Sequence, residues 1–398
     1  MEAVRLSSAE LADVKAMQGE TLALLRALCE IPAPSHHEEK RATFIRDWFA
    51  QRGMTAEIDE ALNVRCPMGL DAHEDIVVVM AHTDTVFPDT EPMPMREENG
   101  RLYCPGVGDD TANLAAMMML AHYLKDRPLR CGVLFVANSC EEGLGNLKGC
   151  KAIMKAFGPR VKAFLSLDGG MENVCARAVG SSRYRITADT KGGHSFASFG
   201  SRNAIEVLAH LVTAFYAQSV PRRGDSLTTY NVGVISGGTS VNTIAQHAEM
   251  LYEYRSDDAA CLAAMERMMR RILESHALPD ARVAVELLGT RPCAGDVNPR
   301  AQRALETACC DALRRYARQN PAVCSGSTDC NIPLSMGVPS ACFGVYIGDG
   351  EHTREEWIDS SSVEDGMKAA LSVLRNWFDE GTVGAASQRR IIDEASEN

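Results

Sequence analysis

The stretch Ile76 to Asp84 reads IVVVMAHTD, an apolar run that passes directly into His82, Thr83 and Asp84. In an extended backbone alternate side chains share a face, so His82 and Asp84 point the same way. One can bind a metal through a ring nitrogen while the other orients the ring. Further along stand the pairs Asp109–Asp110 and Glu141–Glu142, then Asp168 and His352. Two histidines with three or more carboxylates suit hard to borderline divalent cations, with Zn²⁺ the default and Mn²⁺ or Co²⁺ as alternatives. A carboxylate shared by two such ions holds them about 3.5 to 4 Å apart, and the pair ionises a water for attack on a carbonyl. That chemistry needs one bridging acid, one histidine and one acid per ion, and a spare carboxylate to carry protons. The sequence supplies this count. Glu141 and Glu142 are adjacent and cannot both face one ion well, so one is free to act as general base. Asp84 is expected to fix the tautomer of His82.

Each group follows an element able to position it. After Ile76 to Ala81, the run CGVLFVANS leads to Glu141 and Glu142, and AFLSLDGG leads to Asp168. Phe343, Val345 and Ile347 of PSACFGVYIGDGEH read as a fourth strand leading to His352. Four such strands in one doubly wound sheet converge on a crevice at its carboxyl edge. Leu114, Met117, Met118, Leu120, Ala121 and Leu124 form a helical stripe, so Gly106 to Thr111 is the loop that opens a helix. One of Asp109 and Asp110 is expected to cap it. Upstream, residues 8–31 and 37–52 read as helices, with Leu11, Val14, Met17, Leu22, Leu25 and Leu28 on one face. The texture changes over 181–291, where alternating stretches such as SSRYRITADTKGG, HAEMLYEYRSDD and ARVAVELLG accompany two helices, Asn203 to Gln218 and Ala259 to His276. A long helix, Pro299 to Arg318, follows. The expected fold is α/β: a doubly wound, mostly parallel sheet formed by 1–180 and 292–398, interrupted by an inserted α+β domain at 181–291. From about Ala385 the charged tail is expected to fray.

A net charge of −12 argues against nucleic acid as the main partner. No run of eighteen apolar residues occurs, and the amphipathic start MEAVRLSSAELADVK does not resemble a signal peptide. Fourteen scattered cysteines, none spaced CxxC, read as reduced core residues. A cytoplasmic enzyme without membrane contact is expected. His36, His37 and Glu38 make no HExxH pair, because Arg41 stands four residues after His37, and they read as solvated helix-start residues. No GxxxxGK or GxGxxG follows a strand, which sets a nucleotide-binding protein aside.

The motifs AHTDTV, GVGDDTANLAA, CEEGLG, LDGG, GGHSFASFGSRNAI, GGTSVN and GEHTREE resemble, in order and spacing, metallopeptidase family 20. This dinuclear zinc group includes peptidase T, carboxypeptidase G, dipeptidases, acetylornithine deacetylase and succinyl-diaminopimelate desuccinylase. The resemblance runs from about residue 20 to 380. It implies a zinc-exopeptidase type of catalytic domain and a lid or dimerisation domain. It also implies that His82 and Asp168 hold one ion, Glu142 and His352 the other, that Asp109 bridges them, and that Glu141 is the general base. The peptide bond after the bridging aspartate is cis in such enzymes. His194, between Gly193 and Ser195, resembles the lid histidine that reaches a partner's site in a homodimer. Asn242 and Arg255 resemble residues that hold a substrate carboxylate, and Ser327, Thr328 and Asp329 resemble a loop near the site. Thr111 departs from the lysine often found two after the bridge. Aspartate at 168, where the deacylases tend to have glutamate, favours a peptidase acting on small peptides with a free amino end. The alternatives are an N-acyl-amino-acid amidohydrolase on the same machinery and a catalytically retired binding subunit; every expected position is filled, which argues against the latter.

Overall fold

The fold, taken from a computed structural model, is described for residues 3–378. The charged tail beyond Ala385 lies outside those residues. Among the described residues, those up to Ala178 together with those from Gly295 onward form one compact unit, and Val179–Ala294 form a second.

The first unit is built on an eight-stranded sheet. Its order is Glu57–Ile58, Val64–Met68, Gly132–Asn138, Ile76–His82, Val161–Ser166, Ser340–Cys342, Asn173–Ala178 and Ala322–Gly326. The central pairings, Ile76–His82 with both Gly132–Asn138 and Val161–Ser166, are parallel, as is Ser340–Cys342 with Val161–Ser166. The apolar run at 76–81 is explained by burial on both faces. Val77, Val79 and Ala81 join one core with the helices Ser8–Cys29, Glu39–Gln51, Asn113–Leu124 and Ser362–Leu374. Ile76, Val78 and Met80 join another, with Lys148–Phe157 and Asn331–Ser335. Each of the valine, isoleucine and methionine side chains contributes about 1.5–3 kcal/mol on burial, so a one-residue slip of the strand would exchange the two cores and is strongly disfavoured.

The helix Asn113–Leu124 is buried all round, its Leu114 to Ala121 run being at most 1% exposed. This is why it is apolar on every face rather than on a single stripe. The helix Ser8–Cys29 starts with a capping box: Glu10 N–H donates to Ser7 Oγ, and Ser7 N–H donates to Glu10 Oε2. Glu10 also pairs with Arg375 at 2.7 Å, both side chains buried. The expected helix from Pro299 is α-helical to Ala312 and continues as a wider turn, Leu313–Ala317, ending at left-handed Arg318.

The fourth predicted strand is shorter than its apolar residues suggest. The ladder covers only Ser340–Cys342, and Phe343 and Val345 are core residues outside it. The chain leaves the sheet because its amides bond elsewhere: Gly344 N–H donates to Gly170 O at 3.1 Å and Val345 N–H to Asn113 Oδ1 at 2.7 Å. A Cβ on Gly344 would collide with the carbonyl oxygen of Gly169, so the close approach requires glycine.

The second unit is a four-stranded antiparallel sheet ordered Thr228–Gly237, His247–Ser256, Gly180–Thr190, Ala281–Arg291. Strict alternation puts Tyr184, Ile186, Ala188, Met250, Tyr252 and Tyr254 on one face. That face meets the helices Ala204–Tyr216, capped by Asn203, and Ala259–Ser275, capped by Asp258. The opposite face carries cross-strand ion pairs such as Arg183 with Glu253. No helix among the described residues is long and apolar enough to cross a membrane.

Candidate active site

His82 ends its strand inside the protein, 2% exposed. Its backbone N–H donates to Asp110 Oδ2 at 2.8 Å, and its ring is gripped on both sides. Nδ1 lies 3.0 Å from the carbonyl oxygen of Asp84, and Nε2 lies 2.9 Å from Asp109 Oδ1. A proton on Nδ1 satisfies that carbonyl and leaves the Nε2 lone pair for a cation. The tautomer is therefore set chiefly by the main chain of Asp84, whose carboxylate is farther from Nδ1, at 3.6 Å. That carboxylate has other partners: it accepts from Glu141 N–H at 2.9 Å, Glu142 N–H at 3.1 Å and Ser35 Oγ at 2.6 Å. Asp84 thus ties the end of one strand to the turn after the next.

Asp109 and Asp110 do not cap the following helix. Both have non-helical backbone angles, the peptide bond between them is cis, and no side chain caps Asn113–Leu124. Asp110 instead accepts from His82 N–H and, at 2.7 Å, from Asn113 Nδ2. Asp109 uses its two oxygens on two rings, with Oδ1 at 2.9 Å from His82 Nε2 and Oδ2 at 3.0 Å from His352 Nε2. His352 reaches it from left-handed backbone, φ 63°, and also lies 3.3 Å from Glu142 Oε1. Asp168 closes the set on the other side, its carboxylate, that of Asp110 and a ring nitrogen of His82 lying within 4.8 Å of one another. His82, Asp109 and Glu142 form a second such group.

Five carboxyl groups, of Asp84, Asp109, Asp110, Glu142 and Asp168, therefore surround two imidazoles, and the charge of Glu141 acts on Glu142 and Asp168 beside them. Burial drives the carboxyl groups of Asp110 and Asp168 up, as do the neighbouring acids. Burial pushes Glu142 up to about 7, and its Oε1 is buried without a hydrogen bond. The acids Asp109 and Glu142 in turn push His352 up to about 11. Burial opposes protonation of His82, but Asp110, Asp109 and Asp84 outweigh it and raise the imidazole. A buried excess of anions is costly unless cations compensate it. Divalent ions fit both the donor types and the missing positive charge.

Several residues that hold this centre carry no motif of their own. Glu356 is 1% exposed and accepts from the backbone N–H groups of Gly106, Gly108 and Asp109 at 2.6, 2.8 and 2.9 Å. Its neighbour Glu355 is exposed and pairs with Arg96. Nothing in the repeated glutamate distinguishes the two. Glu38, expected in solvent, is fully buried and accepts from Cys140 N–H at 3.0 Å, holding the residue before Glu141. His36 and His37 are exposed. Arg41 is buried and donates to the carbonyls of Leu28, Ile31 and Thr83. Asp329 is buried and accepts from Asn138 Nδ2 at 2.6 Å, tying the 327–329 loop to the strand that leads to Glu141.

In the second unit a two-residue ladder pairs His194 with Thr243, and Ser195 N–H donates to Asn242 O at 2.9 Å, which places His194 and Asn242 side by side. His194 is exposed, and its Nδ1 accepts from the amides of Phe196 and Ala197. Arg255 has both ends of its guanidinium fork on Glu253, at 3.0 and 3.1 Å. A carboxylate ligand would have to compete with that neighbour.

Largely buried acids gathered around one buried imidazole, that of His82, and one exposed imidazole, that of His352, on a mostly parallel sheet define a class, the metal-dependent hydrolases built on an α/β scaffold. The chain belongs to peptidase family M20/M25/M40, which residues 78–376 match. It is similar to succinyl-diaminopimelate desuccinylase of Corynebacterium glutamicum, 24% identical over 373 residues that cover 91% of this chain and 97% of that one. Its fold is similar to that of a tripeptidase from Staphylococcus aureus, with TM-score 0.72, 22% identity and coverage of 90% of this chain and 98% of that one. A dinuclear metal-binding peptidase from Bacillus subtilis has the same fold at TM-score 0.62 and 17% identity, covering 90% of this chain and 98% of that one.

Proposed function

We propose that this enzyme hydrolyses the amide bond of small peptides at a pair of divalent ions, with zinc the first choice and manganese or cobalt as alternatives. The observation that carries the reading is Asp109, one carboxylate with an oxygen 2.9 Å from His82 Nε2 and the other 3.0 Å from His352 Nε2. A shared acid between two imidazoles is what two neighbouring cations require. In this reading His82 and Asp168 hold one ion, Glu142 and His352 the other, and Asp109 serves both. Asp110 remains a positioning residue, since both its oxygens are engaged by His82 N–H and Asn113 Nδ2. When bound, two such ions acidify a water and polarise the substrate carbonyl.

The remaining steps belong to the protein. Glu141 is buried beside Glu142, and its backbone is held by Asp84. It takes the proton from the attacking water and returns it to the departing amine. Asp84 and Glu356 keep the acids in place. His194 is assigned to the substrate carbonyl oxygen in the partner subunit's site, and Asn242 and Arg255 to a substrate carboxylate. A homodimer through the second unit suits the edge strand Thr228–Gly237, which leaves Val234 48% and Ile235 52% exposed. A long apolar edge invites pairing with a second copy. Fourteen free cysteines suit a cytoplasmic setting.

Peptide rather than N-acyl substrates are favoured by aspartate at 168 and by the fold shared with a tripeptidase. The desuccinylase relative supports the second reading, an N-acyl-amino-acid amidohydrolase. Chelation should abolish hydrolysis, and Zn²⁺, Mn²⁺ or Co²⁺ should restore it. Undiminished turnover by protein verified to be metal-free would refute the metal reading. Metal-reconstituted enzyme assayed on di- and tripeptides beside N-acyl amino acids decides between the substrate classes.

A further inference from the structure

All fourteen cysteines are free thiols; twelve are buried, and only Cys175 and Cys324 are partly exposed. Those two face each other. Cys324, on Ala322–Gly326, is the direct ladder partner of Cys175, on Asn173–Ala178, and their sulfurs lie 3.2 Å apart. The first of these strands is the last in the sheet. We propose that Cys175 and Cys324 form an oxidisable dithiol, a modification site that a peroxide converts to an intramolecular disulfide and a small dithiol reduces again.

The geometry suits the bond. Strands in a sheet run about 4.7–4.9 Å apart. Cα atoms of facing residues at that spacing fall inside the range of about 4.4–6.8 Å that disulfides span. A bulge between Cys324 and Ser325 loosens the ladder at this point. Gly326 leaves room for the thiols to turn, since a Cβ there would collide with Cys175 Sγ. The hydrogen bond from Cys175, with Arg177 acting in the same sense, brings the Cys324 thiol down to about 7, and the same bond drives Cys175 up. Cys324 is thus the attacking thiolate near neutral pH.

Its sulfur attacks one peroxide oxygen, the O–O bond breaks, and the departing hydroxide takes a proton and leaves as water. Cys324 is then a sulfenic acid. Cys175 loses its proton and attacks that sulfur; the S–S bond forms, the S–O bond breaks, and a second water leaves. Two electrons pass from the two sulfurs to the peroxide.

The test uses the full chain exposed to hydrogen peroxide, alkylated in its native state and mapped by mass spectrometry without reduction. A cross-linked pair of peptides containing Cys175 and Cys324, lighter by two hydrogens and separated by dithiothreitol, is the expected result. Phenylarsine oxide, which bridges close thiols, should bind one per chain and lose that site in both Cys175→Ser and Cys324→Ser. Recovery of Cys324 as a sulfinic or sulfonic acid while Cys175 stays alkylatable, or of both as unmodified thiols, would overturn the proposal. The wild-type map decides the matter even if a variant misfolds.

Discussion

Replacing Glu356 by glutamine probes how the loop that carries Asp109 is held. The native carboxylate accepts Gly108 and Asp109 N–H on Oε1 and Gly106 N–H on Oε2. Glutamine can keep its carbonyl oxygen toward Gly108 and Asp109, but its NH₂ then faces the donor of Gly106. One bond to a charged acceptor, worth about 1.5–3 kcal/mol, is lost, and a stranded buried N–H costs about 1–3 kcal/mol more. The sum, about 2.5–6 kcal/mol, should lower Tm by roughly 10 °C, given about 2–4 °C per kcal/mol for a large domain. The same change shifts Asp109, and a displacement near 1 Å at a reacting centre costs about a hundredfold in rate. Scanning calorimetry of the metal-reconstituted enzyme, metal analysis and steady-state kinetics read the three effects. A kcat deficit with unchanged KM is expected, because Glu356 lies behind the acids. Glu356→Gln with wild-type Tm and wild-type turnover would show that the three amides find other acceptors, and the account of this loop would be wrong.

Three further perturbations test separate parts of the account. Glu141→Gln should retain near-normal metal while kcat falls by orders of magnitude, whereas Glu142→Gln should lose metal; elemental analysis showing the reverse would exchange their roles. Burial raises the Glu10 carboxyl, but the Ser7 amide and Arg375 outweigh it and hold it below its usual 4.5. Its stabilisation is therefore complete above about pH 4.5 and fades as pH falls through the lower folded value. Glu10→Gln should cost about 3 kcal/mol at neutral pH, and a Tm gap from wild type that persists into strong acid would contradict the assignment. His194→Ala mixed with Glu141→Gln should regain turnover in verified heterodimers if the histidine serves its partner, and no recovery would count against a shared site.

How much of this could be read from residues alone depended on range. Local patterns carried their own explanation: the doubly buried run at 76–81, the alternation at 181–190 and 247–256, and the apolar helix from Asn113. The order of the motifs indicated the family that residues 78–376 match. Where a backbone's partners were distant, patterns misled. One of Asp109 and Asp110 looked like a helix cap because cap and anchor have the same composition, and only the locations of His82 N–H and the two imidazoles show that both are anchors. Phe343 and Val345 looked like strand residues because burial, not pairing, makes them apolar. Glu38 looked solvated because no rule about helix starts anticipates an amide from residue 140.

The sequence by itself determined which groups were available: two imidazoles and an excess of acids, each at the end of an apolar element, and so the kind of cation that could compensate them. Their chemistry is a property of residue type, and the placement of His82, Glu141, Glu142 and Asp168 at or just after the ends of buried strands follows from periodicity. Only tertiary structure decided which oxygen of Asp109 faces which ring, that the main chain of Asp84 sets the His82 tautomer, and that Glu356 rather than Glu355 holds the loop. Those are matters of tenths of an ångström between residues up to 270 positions apart, His82 and His352 among them. Chain separation carries no information about such distances until the sheet has brought its strand ends together.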